Sequence, residues 1–239
     1  MSLETIRFEH LDLKEGMTLL DLGCGEGRHT LSAALTAPIH AVGLDMSRRD
    51  LTTARNRCGD FESLTQKENA PSLIEGDGAR LPFANATFDR IICSEVLEHI
   101  HDYETFLREI SRVIKPGGLF AASVPSFFPE WVCWKLSDAY HEVEGGHVRI
   151  FNARALERSI SSFGFKRFES HRAHALHSPY WWLRCLFWRG EQAQHPIVNL
   201  YHRLLVWDLM KKPWLTRWLD RLLNPILGKS VVFYFSTDP

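Results

Sequence analysis

Three glycines at alternating positions follow a short apolar run that ends in an acid. Asp21 lies near the end of the run, and Gly23, Gly25 and Gly27 follow within six residues. Because glycine lacks a Cβ atom, such a loop adopts positive φ angles and lets a ligand approach the backbone closely. The apolar run predicts a buried strand, and the residues after the glycines predict a helix. We therefore expect a strand-to-helix loop that binds a nucleotide-like ligand.

A second acid closes a second apolar run about twenty residues further along the chain. This run begins at Ile39 and ends at Asp45, and Met46 follows it. In a strand–helix–strand nucleotide site, a carboxylate at this position accepts hydrogen bonds from the ribose hydroxyls. We predict that Asp45 binds a ribose in this way and that Met46 belongs to the same site. The glycine spacing is G-x-G-x-G rather than G-x-G-x-x-G, which argues against a dinucleotide.

These motifs resemble the cofactor motifs of class I S-adenosylmethionine-dependent methyltransferases, in particular the type 11 and ubiquinone-biosynthesis-like members. The similarity rests on the glycine loop, the run that ends at Asp45, residues 75–79 and the Lys-Pro-Gly-Gly at residues 115–118. Together these motifs cover roughly the first 125 residues in the expected order. The resemblance implies an α/β fold: a Rossmann-like sheet of seven strands, parallel except for an antiparallel last strand, with helices on both faces. It also implies S-adenosyl-L-methionine as the cofactor.

The resemblance assigns roles to residues that follow the third and fourth predicted strands. It implies that Asp77 bonds the adenine amino group, and that the backbone at Gly78 and Ala79 reads the edge of the ring. Ser94 and Glu95 follow the fourth strand. Because a doubly wound sheet binds ligands at the carboxyl ends of its strands, these two should face the methionine end of the cofactor and the methyl acceptor.

The first helix is predicted to begin near Gly27 and to end before Pro38. Its first turn leaves backbone N–H groups unpaired and carries the positive end of the helix dipole, which favours a negative ligand group. Since S-adenosylmethionine has no phosphate, we expect its methionine carboxylate there. Asp21 would then hold the ammonium group, directly or through water.

A histidine-containing segment follows the fifth predicted strand and offers candidate bases, His141 and His147. Methyl transfer is an in-line displacement that needs mainly alignment in a water-poor site, and a base is needed only when the acceptor loses a proton. Ubiquinone-pathway-like methyltransferases place a histidine similarly, ahead of a Phe and of a helix ending in Gly-Phe, here Phe151 and Gly164-Phe165. We predict that His147 lines the acceptor site and acts as the base, which slightly favours O-methylation. The alternative is a histidine whose ring bonds a loop carbonyl.

The same segment could also bind a divalent ion through His141, Glu142, Glu144 and His147, since imidazole and carboxylate are both metal ligands. The fixed spacing of zinc motifs is missing, however. We therefore expect no metal.

Composition indicates a single domain over residues 1–239 in a cytoplasmic protein. The chain is 45% hydrophobic with a formal charge of −1, and its five cysteines lack framework spacing, which predicts reduced thiols. No apolar stretch is long enough for a signal core or a membrane span. Nucleic acid is not an expected partner, because there is no basic stripe and no Asp/Asn-Pro-Pro-Tyr turn after the fourth strand.

All eight tryptophans lie in the second half of the chain, from Trp131 onward. We therefore divide the domain into a cofactor half at residues 1–125 and an acceptor half at residues 126–239, with a helical aromatic insert at about residues 171–229. The insert could be a lid over an apolar acceptor, a homodimer face or a peripheral membrane contact, and we favour the lid.

The sequence thus predicts an S-adenosylmethionine-dependent methyltransferase whose acceptor is a hydrophobic small molecule, such as a quinone, a lipid or a natural product. Two alternatives stay open. One is a non-catalytic protein that binds the cofactor or S-adenosylhomocysteine. The other is a C-methyltransferase that works at the membrane surface.

Overall fold

The computed structural model describes residues 4–61, 70–143, 145–187 and 195–239. Within these ranges the strands are β1 (Thr18–Leu22), β2 (His40–Asp45), β3 (Ser72–Glu75), β4 (Phe88–Ser94), β5 (Ile114–Pro125), β6 (Phe165–Ala173) and β7 (Ser230–Thr237). They form one sheet in the order β3-β2-β1-β4-β5-β7-β6. Neighbours from β3 to β5 are parallel, and β7 runs antiparallel to β5 and β6. The predicted seven-stranded α/β sheet with an antiparallel last strand is confirmed.

Helices lie between most of these strands. They are α1 (Arg28–Thr36), α2 (Arg48–Phe61), α3 (Tyr103–Val113), α4 (Phe127–Leu136), α5 (Ala153–Ser161), α6 (His177–Leu186), α7 (Pro196–Lys211) and α8 (Trp214–Leu227). Side chains cap two of these helices, because Asp102 and Asn152 accept from backbone N–H groups at the starts of α3 and α5. Such caps pair donors that the first turn of a helix leaves free.

The core lies on both faces of the sheet, because successive side chains of a strand point to opposite sides. On β1, Leu20 belongs to a buried cluster with Leu107 of α3 and Ile160 of α5. Its neighbour Leu19 belongs to the other cluster, with Ala33 of α1. The strand order reverses between β1 and β4, and in open α/β sheets ligands bind in the crevice at this point, at the carboxyl ends of the strands.

The insert differs most from the sequence prediction. β6 continues to Ala173, so the insert begins slightly later than expected, and its described residues form the three helices α6, α7 and α8. Pro225 lies inside α8. The polar stretch at residues 62–69 and the end of the aromatic stretch, Trp188 and Arg189, lie outside the described residues. No helix in the described part of the chain combines the length and the apolar character needed to cross a membrane.

Candidate active site

A cavity of about 530 Å³ opens at the carboxyl ends of β1, β2 and β4. The predicted residues that line it are Gly23, Gly25, Asp45, Met46, Gly78 and Glu95. Sequence reasoning missed several others, namely Ser47, Asp50, Gly76, Val96, His99, Ile100, Phe106 and Gly145. The missed residues come from four separate stretches of the chain, so no local pattern groups them. The cavity is therefore built where the order of the strands reverses, as the fold class predicts.

The glycine loop adopts the backbone conformation that its composition predicts. Gly23, Gly25 and Gly27 have φ angles of +72°, +51° and +79°. A Cβ atom on Gly23 would lie 2.3 Å from Cγ2 of Val96, whereas one on Gly25 would meet nothing within 4 Å. Gly23 is thus required by packing, and Gly25 leaves space on the cavity side into which a ligand fits.

Asp45 bonds this loop through one carboxylate oxygen and the turn after β2 through the other. Its Oδ2 accepts from the backbone N–H of Gly25 at 2.7 Å, and its Oδ1 accepts from the N–H of Ser47 at 2.7 Å. A carboxylate offers about four acceptor positions, so two remain for the hydroxyls of a ribose. The geometry at Asp45 fits the predicted nucleoside.

Asp21 lies beneath the loop rather than in the cavity. It is 1% exposed and accepts a hydrogen bond from Oγ1 of Thr30 at 2.6 Å. Burial raises the pKa of its carboxyl group to about 6, against a usual 3.8, although the Thr30 hydrogen bond opposes the shift. Asp21 therefore fixes β1 to α1, and a role toward the ammonium group of the cofactor stays a prediction.

Four other predicted residues also lie outside the cavity lining. Gly27 is buried against Ala54, and Ser94 is buried with its Oγ 2.8 Å from Oγ of Ser123. Asp77 is exposed, and its Oδ1 accepts from the N–H of Ala79, the fourth of these residues. Their predicted contacts with the cofactor stay predictions.

Glu95 occupies the central position of the site. It has a φ of +57°, which is unusual for a residue with a side chain. Its Oε1 accepts from Oγ of Ser123 at 2.9 Å, and its Oε2 lies 3.7 Å from Nζ of Lys229. Glu95 lines the cofactor-side cavity and also a second cavity of about 370 Å³. Glu95 therefore borders both cavities.

The second cavity lies between the sheet and the insert. Its lining includes Arg28, His174, His177, Tyr180, Trp181, Leu205, Leu209 and Lys229. The insert forms one wall of this cavity, and its predicted role as a lid over an acceptor stays a prediction. Ser94 and His147, predicted to form the rest, are absent from the lining. The aromatic run of the insert pointed to Trp181, but no sequence signal marked Arg28 or Lys229.

This second cavity combines cationic and aromatic groups. Lys229 Nζ lies 5.4 Å from the centroid of Trp181, and the Arg184 guanidinium lies 5.1 Å from the same ring. Burial, with a smaller effect of His177, lowers the pKa of His174 to about 3, so that its ring is neutral at physiological pH. The cavity can therefore accept an aromatic or apolar group that carries polar substituents.

His147 forms a dyad with a buried carboxylate. Its Nδ1 lies 2.5 Å from Oε1 of Glu130. The same oxygen accepts from Nε1 of Trp134 at 2.9 Å, and Oε2 of Glu130 accepts from the hydroxyl of Tyr140 at 3.2 Å. Burial opposes ionisation of Glu130, but the hydrogen bond and the charge of His147 outweigh it, and the pKa of Glu130 is lowered. A carboxylate on one ring nitrogen orients a histidine for proton transfer at the other.

His147 approaches the cofactor-side cavity through His99, since the centroids of the two rings are 4.8 Å apart and His99 lines that cavity. Ligand atoms of Glu98, His99 and His147 lie within 4.8 Å of one another. Both carboxylate oxygens of Glu98 lack a hydrogen-bond partner among the described residues, and burial raises its pKa well above the usual value. These three residues could hold a divalent ion. The set considered from the sequence was His141, Glu142, Glu144 and His147, and only His147 is common to both. Glu144 lies outside the described residues.

Sequence comparison finds a family model described as Methyltransferase domain, which matches residues 20–122. Sterol 24-C-methyltransferase erg6 of Aspergillus fumigatus is 32% identical over 149 residues, or 60% of this chain and 36% of that protein. O-methyltransferase rstn1 of Aspergillus nomiae is 33% identical over 113 residues, or 47% of this chain and 48% of that protein. The chain therefore spans between about a third and a half of the length of these relatives.

Structural comparison gives the same architecture. Phosphoethanolamine N-methyltransferase 2 of Haemonchus contortus, solved in complex with S-adenosyl-L-methionine, matches with a TM-score of 0.62 and 18% identity. The match covers 97% of this chain and 51% of that one. The names of these three proteins specify carbon, oxygen and nitrogen acceptors, so similarity does not identify the methylated atom.

Proposed function

We propose that this chain is a class I S-adenosylmethionine-dependent methyltransferase that methylates a hydrophobic small molecule; the family model that matches residues 20–122 supports this. The observation that carries the proposal is that Glu95 borders both cavities. One cavity has the features of a nucleoside site, and the other has aromatic walls. A displacement reaction needs the acceptor and the methyl group to meet with water excluded, and the junction at Glu95 is where the two cavities allow this.

The residues present fit the cofactor, as the open space beside Gly25 and the paired Asp45 carboxylate indicate. Asp45 would hold the ribose, Gly76 and Gly78 would lie beside the base, and the loop after Gly23 would hold the amino-acid part. When bound, S-adenosylmethionine supplies an electrophilic methyl group on a sulfonium centre. Glu95 would place its carboxylate on the side of the cavity that faces the acceptor, and Val96 and Phe106 would contribute apolar lining beside the bound cofactor.

The second cavity is proposed to hold the acceptor. Tyr180 and Trp181 of α6, with Leu205 and Leu209 of α7, provide the apolar walls. A quinone, a lipid or a natural product of similar size would bury its ring or chain against them. Lys229, between Glu95 and Trp181, would orient an oxygen substituent of the acceptor toward the junction.

His147 is proposed to act as the base that accepts the proton of a hydroxyl acceptor, oriented by Glu130. The dyad supports this role better than the alternative of a bond to a loop carbonyl, because the partner of Nδ1 is a carboxylate. It therefore favours O-methylation. His147 is absent from the lining of both cavities. The proton of the acceptor hydroxyl would therefore reach His147 by way of His99, which lines the cofactor-side cavity and contacts the His147 ring.

The test is transfer of a labelled methyl group from S-adenosylmethionine to an extract that contains quinones and lipids. We expect the wild type to label an apolar product. His147→Ala should lower turnover at least tenfold while S-adenosylhomocysteine binds with unchanged affinity in calorimetry. The matched control is His101→Ala, which removes an exposed histidine.

Tight binding of S-adenosylhomocysteine without any labelled product would favour a non-catalytic binding protein instead. A labelled product with equal turnover in the wild type and His147→Ala would remove the base from the mechanism, and would favour methylation of carbon.

A further inference from the structure

Helices α7 and α8 carry an apolar surface that the fold leaves uncovered. We define the α7–α8 surface by six exposed side chains, Leu200, Leu204, Trp207, Trp214, Trp218 and Leu222. Trp214 is 77% exposed and Leu200 is 68% exposed, and α8 contains no buried residue at all. Single exposed apolar residues are normal, but a group of this size on two consecutive helices indicates a binding surface.

The charges beside this surface have one sign. Between residues 196 and 227, all of which the structure describes, every exposed side chain among the Lys, Arg, Asp and Glu residues is a cation. These cations are Arg203, Lys211, Lys212, Arg217 and Arg221. The whole chain has a formal charge of −1. The five cations are therefore a local concentration and not a property of the composition.

The two acids of the same range face the protein. The carboxylate of Asp220 accepts from the backbone N–H of Leu176 at 3.1 Å and from Nδ2 of Asn224 at 3.2 Å. Asp208 is half-buried, and its Oδ1 is enclosed. Asp220 thus joins α8 to the segment before α6, Asp208 is turned away from solvent, and the positive groups are exposed.

This combination selects an anionic bilayer over a second copy of the chain. In a symmetric dimer the α7–α8 surface would meet the same surface of a second copy. The five cations of each copy would then lie at one interface, and like charges at an interface oppose association. An anionic lipid surface takes up the apolar side chains and neutralises the cations as well. Tryptophan suits the boundary between headgroups and acyl chains, because its ring is apolar and its N–H is polar.

We propose that the α7–α8 surface docks the protein onto an anionic lipid bilayer, with both helices lying in the plane of the interface. The inner side of α7 contributes Leu205, Val206 and Leu209 to the acceptor cavity, and Val206 is also exposed. A docked protein would therefore receive a membrane-dissolved acceptor at the mouth of that cavity. This last step rests on the proposed function, whereas the docking does not.

The test is sedimentation with vesicles of phosphatidylcholine alone and of phosphatidylcholine with 30% phosphatidylglycerol. We expect binding to the anionic vesicles only, weakened when the salt is raised from about 50 to 500 mM. Arg217→Gln with Arg221→Gln should lower the partition coefficient about thirtyfold, since each cation near such a surface contributes a factor of about five. Trp214→Ala with Trp218→Ala should lower it at least tenfold.

Matched controls alter the same residue types elsewhere. Arg158→Gln removes an exposed arginine of α5, and Leu35→Ala removes an exposed apolar side chain of α1. Both should bind vesicles as the wild type does. Each variant is also titrated with S-adenosylhomocysteine, so that a folding defect or a failure of the cofactor site is detected separately from a loss of docking.

Three results would overturn the proposal. They are equal binding to neutral and anionic vesicles with no effect of the tryptophan pair, no vesicle binding at all, and a dimer in sedimentation equilibrium that Trp214→Ala with Trp218→Ala dissociates. The last result would show that a second copy of the chain covers this surface.

Discussion

At the scale of single residues, burial separates two acids that the sequence presents in the same way. Asp21 and Asp45 lie at the carboxyl-terminal ends of neighbouring strands, in register with Gly43 and Glu75. Asp45 borders a cavity and accepts from the backbone N–H groups of Gly25 and Ser47, whereas Asp21 is enclosed with Thr30 as its partner. The same residue type thus borders a cavity at one strand and attaches a helix at the next.

Asp45→Ala should weaken S-adenosylhomocysteine binding at least tenfold. The substitution removes a charged acceptor for the ribose hydroxyls, and a hydrogen bond to a charged group contributes about 1.5–3 kcal/mol. Calorimetry with the wild type, Asp45→Ala and Asp77→Ala measures the effect, with the smaller loss expected at exposed Asp77. Equal affinity in the wild type and Asp45→Ala would contradict the assignment of the nucleoside site.

Asp21→Asn should change how stability depends on pH. Burial raises the pKa of Asp21 in the folded protein to about 6, above the usual 3.8. The contribution of Asp21 to stability is therefore fully present below pH 3.8 and is lost as the pH rises through about 6. A shift of about two units corresponds to about 3 kcal/mol.

Asparagine does not ionise. As the pH rises from 4 to 7, the free energy of unfolding of the variant should therefore increase relative to that of the wild type by up to that amount. Urea unfolding of both proteins at several pH values in this range measures the difference. The buried histidines also make stability depend on pH in this range, but they do so equally in both proteins. Their effect cancels when the two free energies of unfolding are subtracted. A difference that stays constant with pH would show that Asp21 ionises in the folded protein as it does in the unfolded chain.

At the scale of elements, the strand-to-helix loop combines two different uses of glycine. At Gly23 the backbone passes so close to Val96 that no side chain fits, and at Gly25 the space is open. Both positions require a positive φ. The loop is thus shaped by packing on one side and by ligand access on the other.

Gly25→Ala should leave the protein folded but impair the cofactor site. A left-handed alanine costs about 1–2 kcal/mol, and its methyl group would occupy the open space beside Gly25. Gly23→Ala adds a collision with Val96 and should destabilise the fold by clearly more. Thermal unfolding ranks stability, and titration with S-adenosylhomocysteine reports binding. A Gly25→Ala protein that binds with wild-type affinity would show that the ligand does not approach this atom.

At the scale of the whole molecule, the cofactor half and the acceptor half share one sheet through the pairing of β5 with β7, and Lys229 adds a further contact between them. Lys229, at the end of the insert, reaches Glu95 after β4 and Trp181 on α6. The second cavity is enclosed between residues of the insert on one side and Ser230 of β7, Thr5 and Arg28 on the other. Substitutions in the insert should therefore change the binding of the acceptor and leave the affinity for the cofactor unchanged.

Leu209→Trp should block acceptor binding by filling the cavity between α7 and the sheet. We expect transfer of a labelled methyl group to the apolar extract to fall at least tenfold, with unchanged affinity for S-adenosylhomocysteine. Leu204→Trp places the same side chain on the exposed side of α7 and should retain activity. Full activity of Leu209→Trp would place the acceptor elsewhere.

The sequence by itself determined the sheet, the glycine loop and the acid at the end of β2 that lines the cavity. Apolar runs, glycine and the acid at a strand end act within about ten residues, and such local patterns record burial and backbone geometry directly. Only the tertiary structure decided that Asp21 and Ser94 are enclosed, that His147 pairs with Glu130, and that the acceptor cavity is closed by Lys229. These contacts join residues far apart in the chain. The apolar periodicity of α7 and α8 could not show which of their faces is buried, because both helices expose much of their apolar surface. Which side chains share a cavity depends on how the helices pack across the sheet, and no local pattern encodes that packing.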